Sequence, residues 1–240
     1  AVKLFKYKNG ILKQECSGIM VSQDLVLTAS HCVYFYNDTD TIATFNDSLL
    51  AIPAFDNGKE NPLFAKSVSA KYYLPKSNFD YIYSEDVALV ELREPIGLKT
   101  GWIGISFFED DSSLINKVFH KFSYPGTVDL FDSTRVYNGD TLYYNFGRLD
   151  VVGKYDFGYN INGIPGQSGS SLFYTDNHSY YYSIGVQNWS GQSLHYRFSK
   201  ELYFGFKGII EGTTNSIYVK RNYPFDYYLS NAYPNPFNPT

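Results

Sequence analysis

Short strand-like runs separated by turn residues recur along most of this 240-residue chain, and only one stretch has a helical signature. Leu4–Tyr7 and Ile11–Cys16 flank Asn9-Gly10, a pair that readily takes positive φ and so predicts a hairpin. Gly18–Val21 and Leu25–Thr28 read as two more strands parted by Ser22-Gln23-Asp24, whereas residues 36–62, richer in Asn, Asp and Gly, read as longer loops. Val87–Leu92 is nearly continuous apolar sequence that stops before Pro95, as a strand buried on both faces would. Similar runs fall at Lys117–Phe122, Thr141–Phe146, Leu172–Tyr174 and Tyr181–Val186. The one expected helix is Ser199–Ile210, with Ser199 as its N-cap and Gly212 beyond its end. Aromatic residues make up 19% of the chain, with 24 Tyr and 19 Phe, and such side chains suit a pleated, half-buried surface. A chain of this pattern folds as a β-barrel or sandwich, and it lacks the strand–helix alternation of an α/β fold.

The length suffices for one large domain or two small barrels with a sizeable core. The formal net charge of −4, with no dense basic patch, argues against a nucleic-acid partner. No run of about eighteen apolar residues is present, so no membrane-spanning helix is expected. No signal peptide opens the sequence, as expected of a processed form or a trimmed chain. The two cysteines, Cys16 and Cys32, fit either a disulfide in an oxidising compartment or a pair of unlinked thiols.

Three segments carry chemistry. They are Thr28-Ala29-Ser30-His31-Cys32, then Glu85-Asp86-Val87-Ala88-Leu89-Val90, then Pro165-Gly166-Gln167-Ser168-Gly169-Ser170-Ser171. They supply a base, an acid and a nucleophile in the order His, Asp, Ser. A serine hydroxyl is a poor nucleophile until an imidazole takes its proton, and a buried carboxylate must hold that imidazole in the right tautomer. Asp86 precedes a buried strand, where an unpaired carboxylate would be costly and a histidine partner resolves the cost. Glu85 is the rival acid, and Ser170 and Ser171 are rival nucleophiles. Small residues around Ser168 permit the sharp turn that aims two N–H groups at one point. The remaining histidines, His120, His178 and His195, show no metal-ligand spacing, and no metal or organic cofactor is expected.

Together the three motifs resemble the trypsin-like serine proteases of the chymotrypsin fold, over about residues 1–211. Gln167-Ser168-Gly169-Ser170 is nearest to the Asn-Ser-Gly-Ser of bacterial glutamyl-endopeptidase-type members. The resemblance implies an all-β fold of two packed antiparallel six-stranded β-barrels with a C-terminal helix and the active site between the barrels. It implies His31 as general base and acid, Asp86 as its orienting carboxylate and Ser168 as nucleophile. The backbone N–H groups of Gly166 and Ser168 would form the oxyanion hole. It also implies a Cys16–Cys32 disulfide, an extracellular setting, and hydrolysis of protein or peptide substrates through an acyl-enzyme. The same resemblance places the substrate pocket at Asn162, Gly163, Gln187, Asn188, Trp189 and Ser190, with Ser193 and His195 as further candidates.

The departures matter as much. Digestive relatives have Asp before the nucleophile, paired with a new N-terminal ammonium; here Gln167 stands there and no Ile-Val-Gly-Gly start exists. Activity is therefore expected not to depend on an Ala1–Gln167 ion pair. Asn162 falls where a trypsin carries its pocket acid, which argues against a Lys or Arg preference. The glutamyl relatives' Gly-Ile-His-Trp reads Gly185-Val186-Gln187-Asn188-Trp189 here, and His195, expected at the surface, is the only substitute in view. The lining reads as neutral and polar. Two other classes fit the same motifs: a silent protease-like binding or adhesion module, and an esterase.

Composition changes after Gly212. Residues 212–229 read as a linker. Three prolines in the last stretch exclude a helix or central strand, and Tyr233-Pro234-Asn235-Pro236-Phe237-Asn238-Pro239-Thr240 resembles the opening of the C-terminal sorting domain of bacterial type IX secretion. Residues 230–240 are then the start of such a domain. That implies export by the secretion machinery, followed by release or attachment at the cell surface.

Overall fold

The computed structural model describes residues 1–37, 40–75, 85–114, 116–129, 132–159, 162–189 and 193–212. The expected linker beyond Gly212 and the sorting segment at 230–240 lie outside the described residues. The first half holds β1 (Val2–Lys8), β2 (Ile11–Met20), β3 (Leu25–Thr28), β4 (Tyr34–Asn37), β5 (Asp40–Phe45), β6 (Ser48–Pro53), β7 (Ser67–Tyr73) and β8 (Ala88–Leu92). A single helical turn, α1 (Gly97–Thr100), leads into β9 (Gly104–Ile105). The second half holds β10 (Phe119–Ser123), β11 (Tyr143–Gly147), β12 (Leu149–Val152), β13 (Asp156–Tyr159), β14 (Ser171–Thr175), β15 (Tyr181–Trp189) and β16 (Leu194–Arg197), and α2 (Lys200–Ile210) ends the described chain.

The first half closes into a barrel in the order β1-β2-β3-β8-β7-β6, with β4 and β5 as a separate ribbon. The second half is a sheet in the order β11-β10-β14-β15-β16-β13-β12, and β9 pairs with β15. Its two end strands follow one another in sequence through Arg148 and share no ladder among the described residues. The fold is all-β and chymotrypsin-like, with one C-terminal helix.

The sequence explains these elements locally. Asn9 and Gly10 take φ of 51° and 72°, the positive values that let β1 turn directly into β2. In β8, Ala88, Val90 and Leu92 point into the first barrel, while Val87 and Leu89 join a second cluster with Phe173, Val186 and the α2 residues Leu202, Tyr203, Phe206 and Ile209. Alternating residues thus bury both faces, as the continuous apolar run requires. Ser199 caps α2 by accepting from Leu202 N at 3.1 Å. Burying each large apolar side chain of that helix stabilises the packing by about 1.5–3 kcal/mol.

The structure corrects the expected loop at 36–62: that stretch contains β5, β6 and the end of β4. Gly18–Met20 is the continuation of β2 rather than a separate strand. Neighbouring strands supply the missing signal, since β6 pairs with both β1 and β7.

Candidate active site

Register brings the base and the acid together. β3 and β8 are antiparallel neighbours with Thr28 opposite Ala88, so the residues just after β3 and just before β8 leave the barrel at the same end. The chain after β3 makes a 3₁₀ turn, Ser30–Cys32, which presents His31. Its Nδ1 lies 2.6 Å from Asp86 Oδ2, while the His31 amide and the Ser30 hydroxyl donate to Asp86 Oδ1 at 3.0 and 2.6 Å. Asp86 is buried, 4% exposed, and burial alone would raise its pKa; the His31 charge and these hydrogen bonds outweigh that and hold it below the usual carboxylate range. Glu85 turns away and accepts from Tyr196 OH at 3.3 Å.

The Ser168 turn is built against the first barrel. Ser17 N donates to Ser168 O at 2.8 Å, and Ser17 Oγ donates to Gly166 O at 2.9 Å. Gly166 has φ of 93°, and a Cβ there would lie 2.4 Å from Tyr124 O; Gly169, at φ 80°, would place one 2.0 Å from Thr28 Oγ1. Only glycine fits at either position. Pro165 O is turned to Gly126 N and Gln167 O to Ser170 N, both at 2.8–2.9 Å. The N–H groups on those same peptides, of Gly166 and Ser168, therefore point the opposite way, and among the described residues neither has a hydrogen-bond acceptor. Ser168 is partly exposed, whereas Ser170 and Ser171 are buried and bonded to Gln187 and Ser183.

Cys16 and Cys32 form a disulfide. It joins β2 to the His31 turn, and Cys32 Sγ stands 3.8 Å from Ser168 O. A His31 ring nitrogen lies within 4.8 Å of both sulfurs, so His31 and the Ser168 turn sit side by side. The Ser168 hydroxyl is not hydrogen-bonded to His31. The grouping of Cys16, His31 and Cys32 is no metal site, because both sulfurs are spent in the disulfide.

Gln167 takes neutral partners: Ile164 N donates to its Oε1 at 2.9 Å, and its Nε2 donates to Ser123 Oγ at 3.0 Å. Ala1 lies elsewhere, packed near Ile52, Phe55 and Tyr124. An apolar crevice of about 680 Å³ lined by Met20, Trp102, Phe122 and Phe173 contains none of His31, Asp86 and Ser168.

The pocket candidates separate into two groups. Asn162 is tied to Asp129 at 3.2 Å and lines a polar cavity of about 380 Å³ with Arg135 and Tyr143. Gly163 packs against Gln187 and Ser193, where a Cβ would come 3.0 Å from Gln187 Nε2 and 2.9 Å from Ser193 N. Gln187 is buried opposite His195 on the adjacent strand. Asn188 buries an Oδ1 that lacks a partner among the described residues, the Trp189 backbone pairs with Leu194, and Ser190 lies outside the described residues.

His195 is not at the surface as expected: it is fully buried, with Nδ1 3.0 Å from Ser193 O and Nε2 unpartnered among the described residues. Beside it sits Lys121, which the sequence reading missed. Its fully buried ammonium donates to Gln187 Oε1 at 2.8 Å and to Ser193 Oγ at 3.2 Å. No carboxylate pairs with it among the described residues, and burial pushes its pKa down to about 7. The available signal was parity, because Lys121 shares the buried face of β10 with Phe119 and Ser123.

The Trypsin family matches residues 2–118. Glutamyl endopeptidase from Bacillus licheniformis is 30% identical over 164 residues, covering 66% of this chain; the chain spans 45% of that relative's length. A solved Glu endopeptidase shares 18% identity at a TM-score of 0.65, over 88% of this chain and 89% of its own. Protease Anisep from Arthrobacter nicotinovorans shares 22% identity at a TM-score of 0.60, over 82% and 87%. The Trypsin match over residues 2–118 and the shared chymotrypsin-like fold make the chain similar to the trypsin-like serine proteases, with glutamyl endopeptidase among the proteins it resembles.

Proposed function

We propose that the protein is a secreted serine endopeptidase in which Ser168 is acylated and then freed by water. The observation that carries this reading is the His31–Asp86 pair set beside a serine turn with two unengaged N–H groups. Ser168 Oγ attacks the scissile carbonyl as His31 Nε2 takes its proton. Asp86 keeps the other ring nitrogen protonated and stabilises the imidazolium. The oxyanion lies against the N–H groups of Gly166 and Ser168, and each such donor is typically worth about 10²–10³ in kcat. His31 then protonates the leaving amine, and a water repeats the sequence on the ester. The chymotrypsin-like fold and the Trypsin match support this reading over an esterase. Cleavage-site mapping on a peptide library, run with Ser168→Ala, tests it. Cleavage by the wild type alone supports it, whereas no cleavage by either protein would favour the silent binding module.

A second, finer reading concerns the residue before the cleaved bond. Lys121 places a buried ammonium without a counter-ion among the described residues directly behind Gln187, and a relative's name specifies glutamyl bonds. A substrate carboxylate would supply the missing charge, so acidic side chains are the proposed preference. Matched peptides bearing Glu, Gln or Lys at that position test this: equal rates for Glu and Gln would rule it out. Export by a type IX system rests on the sequence at 230–240 and on the disulfide's oxidising setting. Fusing residues 213–240 with the downstream chain to a reporter in a type IX-competent host would test it.

A further inference from the structure

Lys6 is a charged residue on the inward face of β1, 2% exposed, and the reaction above assigns it no part. Its ammonium donates to His31 O at 2.8 Å, to Tyr34 O at 2.6 Å and to Gln14 Oε1 at 3.1 Å. An ammonium has three protons, so this set satisfies it completely. The acceptors are unusual. Within the 3₁₀ turn, Cys32 N takes Ala29 O and Val33 N takes Ser30 O, which leaves His31 O to the lysine. The disulfide grips the same turn at Cys32, and Asp86 grips it at Ser30 and His31.

Why a lysine stands there follows from comparing costs. Burying an ammonium is expensive, and an apolar side chain of similar volume at a buried charged site is often neutral or stabilising for the fold. Fold stability alone therefore gives little reason for Lys6. A charged donor reaching two carbonyls around one histidine does something a methionine could not: it fixes the peptide planes from which the ring hangs. Errors of about 1 Å in the placement of a catalytic group cost on the order of a hundredfold in rate.

We propose that Lys6 is a positioning residue, which holds the His31 turn by its carbonyl oxygens so that the ring stays on Asp86 and faces Ser168. The proposal rests on the endopeptidase reading for its kinetic consequence, and on geometry alone for its structural one. Lys6→Met removes donors and charge, Lys6→Gln keeps one donor group without charge, and Lys6→Arg keeps both. Kinetics on a cleaved peptide should show kcat for Lys6→Met lowered by about ten- to a hundredfold with KM within about twofold. Lys6→Arg should recover most of the loss, and Lys6→Gln should fall between.

A second readout does not need turnover. The low-field proton signal of His31 Nδ1–H, measured by NMR with thermal unfolding as the folding control, should survive in Lys6→Arg and broaden or vanish in Lys6→Met. If Lys6→Met fails to fold, Lys6→Gln and Lys6→Arg give the same contrast. Wild-type kcat in a folded Lys6→Met, or an unchanged His31 signal, would overturn the proposal. An inactive wild type would sink the endopeptidase reading, and the NMR contrast would still decide the role of Lys6.

Discussion

The hydroxyl of Ser17 donates to the carbonyl oxygen of Gly166 at 2.9 Å, across 149 residues of sequence. The Ser17 hydroxyl oxygen in turn accepts from Tyr124 N at 3.0 Å, so one small side chain on β2 joins the two halves at the turn that carries the Gly166 and Ser168 N–H groups. Ser17→Ala should leave the Tyr124 amide without a partner in a buried place, at a cost of about 1–3 kcal/mol. It should also loosen Gly166, so kcat should fall while KM changes little. Denaturant unfolding and peptide kinetics check the two parts separately, and unchanged kcat would mean that Ser17 serves stability only.

Gly169 gives the sharpest steric prediction. At φ 80°, its notional Cβ lies 2.0 Å from Thr28 Oγ1 and 2.4 Å from Ser17 O, and the latter is backbone that cannot rotate away. Gly169→Ala should destabilise the fold by about 3 kcal/mol or more, combining overpacking with the left-handed backbone. A drop of that size in the unfolding free energy, with Gly10→Ala as a control at an open positive-φ position, checks it.

Much of this site was legible in the sequence, for identifiable reasons. The period of Val87–Leu92 fixed which carboxylate meets the barrel end, so Asp86 was separable from Glu85. Asn9-Gly10 and Ser199 announced a turn and a cap because both act locally. What stayed hidden depended on distant chain. β5 and β6 lie in polar, turn-rich sequence and exist because other strands pair with them. The sequence singled out neither Lys6 nor Lys121, since burying an ammonium is costly and their neutral acceptors come from segments up to 72 residues away.

Asp86 links activity to acid stability. Its carboxyl is held below the usual range despite burial, by His31 and the hydrogen bonds on both oxygens. A depressed folded pKa contributes stability above the unfolded value of about 3.9, and that stability is lost as pH falls through the folded value. Asp86→Asn should therefore be less stable than wild type near neutrality, with the gap closing as the pH drops below about 4. Its kcat should fall by about 10⁴, because the amide favours the wrong imidazole tautomer. Parallel unfolding curves from pH 3 to 7 check the first claim, and a constant gap would contradict it.

Lys121 predicts a slope of the same sign in a higher pH window and ties it to specificity. Burial lowers its pKa to about 7, against about 10.4 in an unfolded chain. Between those values the unfolded chain holds a proton that the folded protein has released, so stability should rise with pH across that window. Below pH 7 both states are protonated and the cost of the buried charge is fully present. Lys121→Met should abolish the rise.

The same titration should govern discrimination between acidic and neutral substrates. His31 ionises in cleaving both a Glu and a Gln peptide, so its effect cancels in the ratio of their kcat/KM values, which report the free enzyme. That ratio should be largest below pH 7 and decline as Lys121 loses its proton. Lys121→Met should bring it near one at every pH. A ratio that is high but flat with pH would place the source of acidic preference elsewhere in the cleft.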